Sequence, residues 1–188
     1  GDIFQGVFKD HHFKADNWAL DELIGKPIEQ VVEIIALRML SEPTAELKTK
    51  ITRQISTQTQ LHFEKLPAAS LNTAFIDFAI AAKQNNCLIA CLSWLEPKTT
   101  QGIIAIHDSQ KLIHTAVSTQ EVPRSSPFPD SIFKIMNLAQ VTNPEDVAFV
   151  GTTKSDLLAG YHAGCKWNVL ITKDHKNTKW NAYPCTHI

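Results

Sequence analysis

Two apolar patterns alternate along most of this chain. Short, largely apolar runs at 87–92, 112–117, 147–150 and 167–171 have the length and character of buried strands. Residues 3–8 are read as one more strand, running into a turn. The other pattern has a helical period. Ile28, Val31, Val32, Ile35, Leu37, Met39 and Leu40 fit one helix, with Pro27 at its first turn. Thr44 is placed to cap a second, from 45 to about 63, which carries Leu47, Ile51, Ile55 and Leu61 on one side and polar residues on the other. Further helices are expected at 71–83, 98–106 and 130–138. Strands alternating with helices predict an α/β fold: a Rossmann-like parallel sheet with helices on both faces. The two early helices fall between the first strand and the rest, and the second is too polar to be central. They are therefore expected as a small helical cap (11–65) inserted over the carboxyl edge of a core built from 1–10 and 66–188.

The most informative stretch is 145–165. Val147 to Val150 ends at Gly151, and a helix is expected from Asp156 to Gly164 with Ser155 as its N-cap. Gly164 is placed to end that helix in the left-handed conformation. A strand, a tight turn and a helix put the turn at the carboxyl edge of a parallel sheet, where such folds keep their sites. Asp156 is the carboxylate there.

Composition narrows the field without naming a function. The chain has 188 residues, 44% of them hydrophobic and 20% charged, which suits one core domain with a small insertion. A net charge of −1 excludes a generic nucleic-acid binder, because no basic excess exists to release counterions. No apolar run reaches membrane-spanning length and no signal peptide is visible, so no membrane partner and a cytoplasmic location are expected. Cys87, Cys91, Cys165 and Cys185 form no Cys-x-x-Cys pair and are expected as buried free thiols. The eight histidines are scattered, and the adjacent His11 and His12 have no partner at metal-ligand spacing.

Four segments resemble the motifs of haloacid-dehalogenase-superfamily hydrolases, within them the phosphonatase-like group. The loop Glu121-Val-Pro-Arg-Ser-Ser-Pro-Phe-Pro-Asp130 resembles Glu-Val-Pro-x-Gly-Arg-Pro-Ala-Pro-Asp. Val150-Gly-Thr-Thr-Lys-Ser-Asp-Leu-Leu-Ala-Gly160 resembles the fourth motif, Val-Gly-Asp-Thr-x-x-Asp-Leu-x-Ala-Gly. Residues 89–95 resemble the second, an apolar strand ending in Thr or Ser. Residues 3–10 resemble the first, Asp-x-Asp-Gly-Val-Leu-x-Asp. The likeness is close from about 66 to 173 and loose before that.

The resemblance implies phosphoryl transfer to an aspartate, with magnesium, a hydroxyl and a basic residue neutralising the transferred group. Carried over position by position, Ile3 occupies the nucleophile slot and Gln5 the acid/base slot. Ser93 keeps the second-motif hydroxyl. Ser126 stands in the basic slot, with Arg124 two residues earlier as a flanking phosphate ligand. Thr152 replaces the first acidic residue of the fourth motif, and Asp156 remains as a weak metal ligand. Ser93, Ser126, Thr152 and Asp156 are expected to converge beside Ile3 or Gln5. Trp94 stands where the family has a small residue and is placed to fill the phosphate pocket.

The resemblance therefore implies a pseudoenzyme with no cofactor and a binding or assembly role, its partner a small molecule or a protein. Two alternatives stay open. One is an atypical magnesium-dependent phosphatase or phosphonatase-like hydrolase of a small phosphorylated metabolite, with Asp2 or Asp10 as nucleophile. The other is binding of an uncharged or carboxylated metabolite by Ser93, Ser126 and Thr152. Oligomeric state is not legible.

Overall fold

The computed structural model describes residues 2–12, 23, 26–38, 44–66, 73–108, 110–172 and 178–187. Its first half is helical. Helices α1 (Asp2–Asp10), α2 (Ile28–Arg38) and α3 (Ala45–Glu64) pack together, α3 against both α1 and α2. Val7, Phe8, Ile28, Val31, Val32, Ile35, Ile51 and Ile55 form one buried cluster, joined by Leu23. Each helix contributes a stripe at spacings of three and four, the spacing that brings side chains onto one helical face. Thr44 caps α3 as expected, its hydroxyl accepting from the Leu47 amide at 3.2 Å.

The first correction falls here. Residues 3–8 do not form a strand; they lie within α1. Phe4, Val7 and Phe8 recur at helical spacing, and Val7 and Phe8 are both fully buried, although a strand would turn adjacent residues to opposite faces. Residues 2–10 therefore belong with the helical cluster, not with the core sheet to which 1–10 was assigned.

The second half is α/β. Helix α4 (Thr73–Gln84) leads to β1 (Ala90–Ser93), α5 (Pro97–His107) and β2 (Thr115–Ser118). Then follow α6 (Asp130–Leu138), β3 (Ala148–Gly151), α7 (Lys154–Ala163) and β4 (Trp167–Leu170). Every pairing is parallel, but the strands form two separate pairs, β1 with β2 and β3 with β4. Helices α6 and α7 pack on one another; α6 also rests on β1 and β2, and α7 on β3 and β4. Helix α5 packs on β2 and reaches α3, the main link between the two halves. A second small core, Ile132, Met136, Ala159 and Ala163, lies between α6 and α7.

The outer edge of β4 is closed by the tail. The Leu170 amide donates to the His187 carbonyl at 2.9 Å, and the Thr186 amide to the Asn168 carbonyl at 2.7 Å. Asn168 is buried inside this joint, its Nδ2 donating to the Leu157 carbonyl at 2.7 Å and to the Pro184 carbonyl. The paired Nδ2 stabilises the joint, while the buried Oδ1, which has no hydrogen-bond partner, opposes it. Gly160 makes room for this arrangement, since a Cβ there would collide with the Asn168 side chain.

Candidate functional site

The site is built at the carboxyl ends of the strands. At the end of β3, Gly151 leads into a turn that Thr153, not Ser155, caps. The Asp156 amide donates to Thr153 Oγ1 at 3.2 Å, and the Thr153 amide donates back to Asp156 Oδ2 at 3.0 Å. This reciprocal pair is a capping box, and it satisfies two of the amides a helix start leaves unpaired. The same Oδ2 accepts from the Thr152 amide at 3.1 Å. Asp156 lies so close beneath the strand end that a Cβ on Gly151 would overlap the Asp156 Cβ. At the far end of α7, Gly164 takes the expected left-handed conformation, φ 78°.

At the end of β1, Ser93 is half-buried. Its Oγ accepts from the Leu95 amide at 3.1 Å and from Thr100 Oγ1 at 2.9 Å, which ties the turn to the first residues of α5. Trp94, the residue after Ser93, meets α1. Its ring packs against Phe4 of α1, centroids 5.8 Å apart, and joins the helical cluster. Ser118 pairs in register with Ser93 and is fully buried, donating to the Leu95 carbonyl. Nothing in the sequence singled it out. Its sole signal is the Ser-x-x-Glu spacing to Glu121, whose carboxylate accepts from the Ser118 amide at 2.7 Å. That bond, more than the ion pair to Lys134 at 3.1 Å, holds the Glu121 carboxyl below its ordinary range.

The loop between β2 and α6 carries Ser125 and Ser126, both buried. Arg124 points elsewhere: its guanidinium makes a two-point contact with the Asp130 carboxylate, at 3.1 and 2.8 Å, and lies 4.6 Å over the Phe128 ring. The pairing lowers the Asp130 pKa and raises that of Arg124. The loop is fastened to α7, where His162 Nδ1 donates to the Pro127 carbonyl at 2.9 Å.

The structure thus sets Ser93 at the last residue of β1, Thr152 just beyond β3, Asp156 in the first turn of α7, and Ser126 on the loop fastened to α7. Ile3 and Gln5 lie on α1 and not at the end of a strand, and Phe4 between them packs on Trp94, the residue after Ser93. Asp10 ends α1 and accepts from Gln54 Nε2 of α3 at 3.4 Å. Asp2 opens α1, and its side chain is not among those described. His11 Nε2 donates to Gln54 Oε1 at 2.9 Å, a contact between helices. All four cysteines are free, as expected, but none is buried: Cys87 is exposed and the other three are half-buried. Burial raises the Cys91 pKa and pushes Cys165 up to about 11.

Magnesium fits these residues poorly. It takes hard oxygens in octahedral array and favours carboxylates. Asp156 spends one oxygen on two backbone amides, and Thr152 offers a neutral hydroxyl. Among the described residues no group of three or more His, Cys, Asp or Glu could hold a metal ion.

A parallel α/β architecture with a capped turn and hydroxyls at its strand ends defines a Rossmann-like fold. The chain belongs to the haloacid dehalogenase-like hydrolase family, whose sequence profile matches residues 2–170. No curated protein matches it. Among solved structures it is similar to a haloacid dehalogenase-like hydrolase from Bacteroides fragilis, at 16% identity and TM-score 0.79, covering 100% of this chain and 86% of that one. A protein from Haemophilus somnus 129pt described as a phosphoglycolate phosphatase aligns at 19% identity and TM-score 0.70, over 90% of this chain and 76% of that one. A phosphonoacetaldehyde hydrolase-like protein from Oleispira antarctica aligns at 14% identity and TM-score 0.76, over 96% and 70%. At these identities the likeness is one of fold. No described helix is long and apolar enough to cross a membrane.

Proposed function

We propose that residues 1–188 act by binding and not by phosphoryl transfer: a pseudoenzyme of the family that keeps the anion-facing side of the site. The observation that carries this reading is the state of Asp156. Its Oδ2 holds the amides of Thr152 and Thr153, and its neighbour in the motif is a threonine. Phosphoryl transfer of the family type also needs an attacking carboxylate, and the expected slots, Ile3 and Gln5, lie on α1. What remains suits a small anionic metabolite: the amino end of α7, the Ser93 hydroxyl and the exposed Thr152 hydroxyl. Helices α1–α3 would serve as the cap over that edge. The family relatives described as phosphatases of small metabolites favour a phosphorylated or carboxylated ligand of that size. Free, unpaired cysteines favour a cytoplasmic setting.

The test is turnover of p-nitrophenyl phosphate and phosphonoacetaldehyde at millimolar magnesium, beside calorimetric binding of inorganic phosphate. The reading expects phosphate binding without turnover. Turnover that survives rigorous purification and is lost in Asp156→Asn, a change that keeps an oxygen for the cap, would overturn it. So would turnover lost in Asp10→Asn, which would assign the nucleophile to α1 after all.

A further inference from the structure

The link between the two halves, α3 against α5, is not closed along its length. Between the two helices lies a cleft of about 240 Å³, open to solvent on one side. Gln60 and Glu64 line it from α3, four residues apart and therefore on one stripe. From α5, Lys98, Gly102 and Ile106 recur every four residues, with Thr99 and Ile103 beside them. The α5 stripe has a hollow in it, because a Cβ on Gly102 would meet nothing within 4 Å. Packed helices ordinarily fill such a hollow with a side chain from the neighbour.

The polar groups of the cleft are short of partners. Thr99 is only 8% exposed, yet its hydroxyl makes no hydrogen bond among the described residues. The next hydroxyl, on Thr100, bonds both Ser93 Oγ and the Leu95 carbonyl. A buried hydroxyl left without a partner costs stability unless something outside the chain supplies one. Lys98 forms neither an ion pair nor a hydrogen bond among the described residues. Glu64 accepts from Gln60 Nε2 at 2.8 Å and does not pair with Lys98, although the two line the same cleft. The cleft thus presents one cation, one anion and one unsatisfied hydroxyl, beside the apolar side chains of Ile103 and Ile106.

We infer that this cleft is a binding site for a small zwitterion: an α-amino acid with a short apolar side chain. Its carboxylate pairs with Lys98 and accepts from the Thr99 hydroxyl. Its ammonium pairs with Glu64. Its side chain fills the hollow over Gly102, against Ile103 and Ile106. Size excludes larger ligands, since drug-sized molecules occupy clefts of about 300 Å³ or more. A simple carboxylate would leave Glu64 unanswered and repelled, and a simple amine would do the same to Lys98. The inference does not rest on the proposed function, because none of these residues belongs to the strand-end turn or supplies the hydroxyls invoked there.

The experiment is titration calorimetry of the 188-residue chain with L-valine, with isovalerate, which lacks the ammonium, and with isobutylamine, which lacks the carboxylate. L-valine is expected to bind, and each single-charge analogue about tenfold more weakly or worse. Lys98→Gln and Glu64→Gln should each weaken L-valine by a similar factor, and Gly102→Leu, which fills the hollow, should abolish binding. Lys98 is exposed, so its variant folds and keeps the test open even where Gly102→Leu does not. No L-valine binding at tens of millimolar would overturn the inference. Equal binding of isovalerate would reduce the site to an anion contact and would overturn it too. So would L-valine binding that a folded Gly102→Leu protein or the Lys98→Gln protein retains in full, since the ligand would then sit elsewhere. Phosphate binding and turnover are measured separately, so this inference and the proposed function can each fail without the other.

Discussion

Helix α1 and the β3–α7 turn make an instructive pair. Both carry a segment resembling a motif of the same family, aligned residue for residue. The turn has the structure the resemblance implies; α1 does not. In the turn, likeness and local physics agree: an apolar strand, a glycine where Asp156 must approach, a Thr-x-x-Asp box and a glycine at φ 78°. Around residues 3–10 they disagree. The glycine and the aspartate fit a motif, but Phe4, Val7 and Phe8 fit a helical stripe, and the stripe decides. A motif match carries weight where the spacing of buried positions supports the same element, and little where it does not.

The largest test of this contrast is truncation in α1. Val7 and Phe8 are adjacent and both buried, which a helix packed into a corner allows and a strand with one covered face does not. Phe8→Ala is expected to cost about 3–5 kcal/mol and Val7→Ala somewhat less, read by urea unfolding, while Lys9→Ala on the exposed side stays within about 0.5 kcal/mol. A large loss at Phe8 with a neutral Val7 would favour a strand. The next test is at the turn. Gly151→Ala sets a methyl against Asp156 and should cost about 1–3 kcal/mol. Asp156→Ala, which strips the acceptor from two amides, should cost about 1–2 kcal/mol, with Asp156→Asn recovering part of it. Equal stability of all three proteins would mean the turn is held otherwise.

The smallest expected effect is at Glu121, whose box with Ser118 is a counterpart of the Thr153–Asp156 box. Its carboxyl is held below the ordinary 4.5, chiefly by the Ser118 amide. The group's contribution is thus present above that ordinary value and is lost as pH falls through its lowered folded value. The side chain is 31% exposed, so the term is expected to stay below about 1 kcal/mol. Glu121→Gln should flatten the acid limb of stability against pH slightly. An acid limb unchanged by that substitution would show that the box does not depend on the charge.

Much of the second half was legible because its elements are locally determined. Helix α6 matches its expected bounds, the four later strands lie within a few residues of theirs, and Gly164 ends α7 as its position implied. The cap of α7 was misplaced from Thr153 to Ser155, since two hydroxyl residues two apart offer the same acceptor chemistry and only the box with Asp156 separates them. The division into two strand pairs was not legible, because no single strand records which neighbour it lacks. Trp94 was read as a plug for a pocket. Its partner, Phe4, was then assigned to a strand, so a contact between the two could not be foreseen.

The account stands or falls on the conformation of residues 3–9, because a helix there denies Ile3 and Gln5 the strand-end position that the family motif gives its nucleophile. Backbone carbon chemical shifts of the 188-residue protein report it directly. The account predicts helical shifts without interruption from Ile3 to Lys9, with medium-range contacts between Phe4 and Phe8. Extended shifts over those residues, with cross-strand contacts to Leu92 or Val150, would restore the first core strand and contradict it.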